Sequence, residues 1–193
     1  MDMKIDFPLT GLSIDPKDLK KHFDTVNKHR FYVAMHCFKA GIYWQGLTHD
    51  LSKYSPEEFL ISSAMYQGTR SPNEGERDTK GYSSAWMHHK GRNKHHFEYW
   101  TDYDPKTRKM SPVKMPIIYV AEMFCDRVAA SKVYMGDEYN DGAPLAYFDK
   151  GRNTRMIHPT TSKLLEKLLT MLRDKGEEYT FAYLRYLLRK ARK

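Results

Sequence analysis

The chain has 193 residues, enough for one domain with a buried core. Hydrophobic residues make up 40% and aromatics 13%, which excludes a disordered chain, and no apolar run approaches the roughly 18 residues of a membrane span. The net charge of +8 favours an anionic partner: a phosphorylated small molecule, a nucleotide or a nucleic acid.

Residues 1–14 read as an extended arm. Met1-Asp2-Met3-Lys4-Ile5-Asp6 lacks the basic segment and apolar core of a signal peptide, and Cys37 and Cys125 lie in helix-like segments, so a cytoplasmic chain with reduced thiols is expected. Asp15-Pro16 is a cap followed by a first-turn proline, and the helix it opens should end at Gly41. Its apolar stripe is Leu19, Phe23, Val26, Val33, Cys37 and Ala40. His22, His29 and His36 recur every seven residues, or two turns, and so project from one side.

A short helix over 42–49 should pack antiparallel to the first and deliver His49-Asp50 at its end, level with His29. Ser55-Pro56-Glu57-Glu58 starts a third helix. Residues 68–81 read as a long polar loop, and 101–115 as a proline-containing connection. Between them, a short helix holds Ala85-Trp86-Met87-His88-His89, and His95-His96 follows. Pro116 opens a strong helix from Ile117 to about Tyr134, with Asp126 in its middle and Glu122 one turn earlier. An acid on an apolar face is costly unless it is paired or metal-bound. Residues 136–158 are irregular, with one short helix after Pro144. The chain closes on a helical hairpin, 161–192, whose first arm carries Leu164, Leu165, Leu168, Leu169 and Leu172. Alternating strand patterns are absent, so the expectation is a single all-α domain, a helical bundle over 1–193.

The candidate metal ligands are His29 or His36, His49, Asp50, His88 or His89, His95 or His96, and Asp126. Imidazole mixed with carboxylate suits Mn, Fe, Co, Ni or Zn, and Mg where carboxylate and water dominate. Ligands spread over several helices are how helical bundles build such sites.

His29, then Leu47-Thr48-His49-Asp50-Leu51-Ser52-Lys53, then Cys125-Asp126-Arg127-Val128-Ala129-Ala130, resembles the pattern of the HD-domain superfamily of metal-dependent phosphohydrolases. The chain as a whole also resembles a bacterial and phage family built on this motif, to which no activity is assigned. The resemblance implies an α-helical core with His29, His49, Asp50 and Asp126 around one divalent ion. Members with two ions add histidines in the interval that His88, His89, His95 and His96 occupy here; His36 is a further candidate. It also implies hydrolysis of a phosphomonoester or phosphodiester, nucleotide-like in kind. In that reading Asp50 orients the attacking water and one of the interval histidines, with His89 and His95 preferred, protonates the leaving group. Lys53, Arg92, Lys94 and Arg127 would neutralise phosphate. Two alternatives belong to other classes. Some superfamily members carry two irons and use dioxygen. A non-enzymatic basic module would bind nucleic acid through the C-terminal cationic helix with Arg185, Arg189, Lys190, Arg192 and Lys193, together with Arg70, Arg77, Lys80 and Lys90.

Overall fold

The computed structural model describes residues 4–7 and 11–192. Among these, eight α-helices and two small β-hairpins make an all-α helical bundle. The first helix, α1 (Pro16–Ala40), begins where the sequence places it. The Asp15 carboxylate accepts from the Lys17 amide at 2.7 Å, and Pro16 fills the first turn. It ends at Gly41, whose φ of 76° turns the chain back.

The return segment is α2 (Tyr43–Thr48), which lies against α1 at Gly46. Arg30 of α1 fastens the end of α2: its Nε donates to the His49 carbonyl at 2.8 Å and its Nη2 to the Leu47 carbonyl at 3.1 Å. Those carbonyls have no partner within their own short helix, so a cation is well placed there. Asp50 then takes a left-handed conformation, φ 53°, and the chain enters a 3-10 turn, Leu51–Tyr54. This sharp reversal lets two adjacent side chains, His49 and Asp50, face the same interior.

Next come α3 (Pro56–Ala64), α4 (Pro72–Lys80) and α5 (Ser84–Arg92). The central helix is α6 (Ile117–Met135), which packs on α1 on one side and on the C-terminal segment on the other. A short α7 (Ala143–Lys150) precedes α8 (Pro159–Ala191). Gly176 breaks α8 with φ 75° and ψ 176°. Lys167 Nζ donates to Tyr183 Oη at 2.7 Å. On a continuous helix those residues would stand about 24 Å apart, so the segment folds back as the expected hairpin. The core is built from Val33, Cys37, Val120, Phe124, Val128, Leu165, Leu168, Leu169, Phe181 and Leu184. Both cysteines are free and buried. Among the described residues, no helix is long and apolar enough to cross a membrane.

Three expectations need correction. The N-terminal arm is a hairpin in its described part, with β1 (Ile5–Phe7) antiparallel to β2 (Leu12–Ile14) and Ile14 buried; residues 1–3 and 8–10 lie outside the described residues. The connection 101–115 contains a second hairpin, β3 (Thr101–Asp104) with β4 (Lys109–Pro112). Strands of three or four residues are too short to display an alternating pattern. The polar loop 68–81 holds α4, opened at Ser71-Pro72 and closed by Gly81 at φ 80°. Its anchor is Glu76, fully buried, which accepts from Ser83 Oγ at 2.8 Å, Ser84 Oγ at 2.6 Å and the Ala85 amide at 3.3 Å. The helix docks through charge-assisted hydrogen bonds to the start of α5, so it carries no apolar stripe to betray it.

Candidate metal centre

Four atoms, one from each of His29, His49, Asp50 and Asp126, lie within 4.8 Å of one another. His29 comes from α1, the His49-Asp50 pair from the turn after α2, and Asp126 from α6. His29 Nε2 stands 3.1 Å from Asp126 Oδ1 and 3.8 Å from Asp50 Oδ2. His49 Nε2 stands 3.3 Å from Asp50 Oδ2 and 3.7 Å from Asp126 Oδ1.

A second group, Asp50, His89, His95 and His96, meets the same 4.8 Å limit. Asp50 Oδ1 is 3.3 Å from His89 Nε2 and 3.4 Å from His95 Nε2, and His89 Nε2 is 2.9 Å from His96 Nε2. Asp50 therefore turns one oxygen toward each group.

Two glutamates stand behind the rings. Glu122 Oε1 is 3.0 Å from His49 Nδ1 and 3.2 Å from His95 Nδ1. Glu58 places Oε2 at 2.7 Å from His89 Nδ1 and Oε1 at 2.6 Å from His88 Nδ1. A carboxylate on Nδ1 holds the proton there and leaves Nε2 as a lone-pair donor toward the interior.

The inward atoms are short of partners. His29 Nε2, His49 Nε2, Asp50 Oδ1 and His95 Nε2 are buried without a hydrogen bond. Buried polar atoms are nearly always satisfied, so four such atoms facing one region mark a candidate cation-binding centre. These buried groups of histidine, aspartate and glutamate could hold a metal ion.

The electrostatics agree. Burial opposes charge on Asp50, but His49, Lys53 and His89 outweigh it and hold the carboxyl well below the usual range. Burial likewise opposes ionisation of Asp126, and the neighbouring His29 and His49 rings hold it well below the ordinary value. His49 is raised by its carboxylates against the burial effect, whereas burial and then Lys53 lower His29. Burial, followed by His95 and His89, pushes His96 well down. The result is two ionised carboxylates among imidazoles, a donor set suited to a divalent cation.

The remaining candidates divide. Lys53 Nζ is 2.9 Å from Asp50 Oδ2, at the centre itself. Arg127 follows Asp126 on α6, with its Nε buried and unpartnered. Arg92 and Lys94 are exposed; Arg92 Nη1 donates to the His88 carbonyl at 3.3 Å, and Lys94 lies over the Tyr99 and Tyr119 rings. His36 and His88 are not brought to the centre. His36 sits two turns beyond His29, stacked on Phe181 and 3.4 Å from Lys132 Nζ, because α8 covers that part of α1. His88 is turned outward onto Glu58.

A family model, DUF5662, matches residues 18–171 and is described only as a family of unknown function. The chain belongs to this family. The span matched by DUF5662 contains both ligand groups and both supporting glutamates. No curated protein and no solved structure matches the chain.

Neither Glu58 nor Glu122 stands among the ligand candidates that the sequence offers. Glu122 left a signal, since it lies four residues before Asp126 on a largely apolar helix and so shares its face. Glu58 left none, because an acid in a first turn is ordinary on dipole grounds.

Proposed function

We propose that this DUF5662 chain is a metal-dependent phosphohydrolase of HD-domain type, acting on a phosphomonoester or phosphodiester that is nucleotide-like. The observation that carries the reading is Asp50, buried, left-handed at its backbone, and offering one oxygen to each of two ligand groups. His29, His49, Asp50 and Asp126 would hold one divalent ion, with Asp50, His89, His95 and His96 holding a second. The motif around His49-Asp50-Lys53 and Asp126 supports the HD assignment. The ions, of the Mn, Fe, Co, Ni, Zn or Mg class, would supply Lewis acidity toward a phosphoryl oxygen and an acidified water.

The protein's own groups do the rest. Asp50 orients the water. Glu122 and Glu58 keep the ligand imidazoles in one tautomer and one orientation. Lys53, with 31% of its side chain exposed, touches both the centre and solvent, and Asp50 keeps it protonated against the effect of burial. It is placed to meet the negative charge of the phosphoryl group. In this two-ion arrangement His89 and His95 serve as ligands, and protonation of the leaving oxygen falls to solvent.

Elemental analysis of protein purified without added metal should give two ions per chain. Loaded with Mn or Co and kept under argon, the protein should then turn over members of a broad phosphoester panel, and His49→Ala should not. No turnover across the panel, or equal turnover by His49→Ala, ends the reading. Turnover that requires iron and dioxygen would establish the oxidative alternative in its place.

A further inference from the structure

Next to the metal centre, three arginines gather on one buried ring. The guanidinium carbons of Arg127, Arg152 and Arg155 lie 5.9, 5.6 and 5.0 Å from the centroid of Phe148, which is 1% exposed. Arg152 is fully neutralised, with Nη2 2.6 Å from Asp149 and Nη1 2.9 Å from Glu166. The other two form no ion pair among the described residues. Among the described residues, Arg155 donates only to main-chain carbonyls: Nη1 to Phe148, and Nη2 to Tyr147 at 3.3 Å. Arg127 has a buried Nε with no partner.

Arg155 is held in place. Its Nη2 lies where a Cβ on Gly151 would come within 2.6 Å, so the guanidinium is seated between the Gly151 backbone and the Phe148 ring. Glu98 completes the surroundings. It interacts electrostatically with both arginines but stands beyond ion-pair distance of either, and its buried Oε2 has no hydrogen bond. Arg127 follows the ligand Asp126, and Glu98 lies two residues after the ligand His96. Arg127 also interacts electrostatically with Asp126, which places this arginine near the metal centre.

Two half-buried like charges that meet one ring and act on each other electrostatically are unfavourable without an anion to share, and the arginine fork matches phosphate oxygens in pairs. We propose that Arg127 and Arg155 form a second anion subsite, which takes a phosphate group of the substrate other than the one at the metal centre. Glu98 accepts a hydroxyl or amine hydrogen from the same molecule. The inference rests on the phosphohydrolase reading and narrows its substrate to phosphoesters that carry a second phosphate.

The test is calorimetric titration of the metal-loaded protein with orthophosphate, pyrophosphate and tripolyphosphate at fixed ionic strength. At least one linked anion should bind the unaltered protein about tenfold more tightly than orthophosphate. Arg155→Gln should erase that preference. Arg155→Lys keeps the charge but loses the fork, and should retain only part of the preference. Arg152→Gln removes the same charge from the carboxylate-paired arginine, and should retain all of it. Orthophosphate binding with no gain for linked anions overturns the subsite and leaves the phosphohydrolase reading standing. So does a gain that survives Arg155→Gln, or one that Arg152→Gln abolishes equally. If no anion binds the metal-loaded protein, both fall.

Discussion

Glu122 offers no atom to the two Asp50-centred ligand groups, yet it orients two of their rings. One carboxylate oxygen lies 3.0 Å from His49 Nδ1 and 3.2 Å from His95 Nδ1, so a single group fixes an imidazole on each side of Asp50. Its neighbour one turn on, Asp126, is itself a ligand candidate. Removing the charge should leave the fold intact and loosen the rings. Glu122→Gln is expected to lower metal affinity by roughly 10- to 100-fold, read by competition with a chromogenic chelator. An unchanged affinity would show that Glu122 only packs. Glu58 acts on one side alone, through His89. Glu58→Gln should therefore reduce the bound ions from two to one per chain at limiting metal, and an unaltered stoichiometry would refute its role.

The element that sets the centre is the seam between α1 and α2. A Cβ at Gly46 would lie 2.9 Å from Cys37 Cβ and 3.2 Å from Ala34 Cα, both on the facing helix, with no flexible side chain to give way. Gly46→Ala should cost about 1–3 kcal/mol, the usual range for overpacking. Because α2 carries His49 and Asp50 at its end, metal affinity should fall along with Tm. A variant that melts like the parent and binds metal normally would mean that the seam is softer than its contacts suggest. The ends of α1, the reversal at His49-Asp50 and the inward Asp126 were legible in the sequence because each rests on a local signal: a cap, a glycine, an acid on an apolar face. Where burial is achieved by polar groups the sequence was mute, as for α4, which is anchored by Glu76. The choice of His29 over His36 came from the family resemblance and not from the spacing. Their seven-residue spacing puts them on one side of α1, but only the docking of α8 covers His36 with Phe181 and Glu177 and leaves His29 to face Asp126. The second metal group illustrates the same limit, since the sequence showed four clustered histidines without showing which three of them Asp50 meets.

At the scale of the whole molecule, the centre ties α1, the turn after α2, the histidine segment and α6 together, so a bound cation should act as a cross-link. A ligand at a hundredfold excess over its Kd, bound only by the folded state, stabilises that state by about 2.7 kcal/mol. Manganese should accordingly raise Tm and a chelator should lower it, and neither shift should occur in His49→Ala. Acid should act on a different region. His36 is fully buried between α1, α6 and α8, stacked on Tyr32 and Phe181, with Lys132, Glu177 and Lys39 as its charged neighbours. Burial first, and Lys132 second, lower its pKa from 6.5 to about 4. Below its ordinary value the unfolded chain takes up a proton that the folded chain refuses. The contribution of His36 is therefore complete above about pH 6.5 and is lost as pH falls toward 4. His22, also lowered to about 4 by burial and then Lys53, adds in the same direction. His36→Phe keeps the stacked ring and removes the titrating group. Its urea midpoint should decline less than that of the unaltered protein between pH 7 and pH 4.5, with a residual slope left by the other histidines whose pKa burial lowers, His22, His29 and His96. Equal slopes for the two proteins would place the acid sensitivity elsewhere.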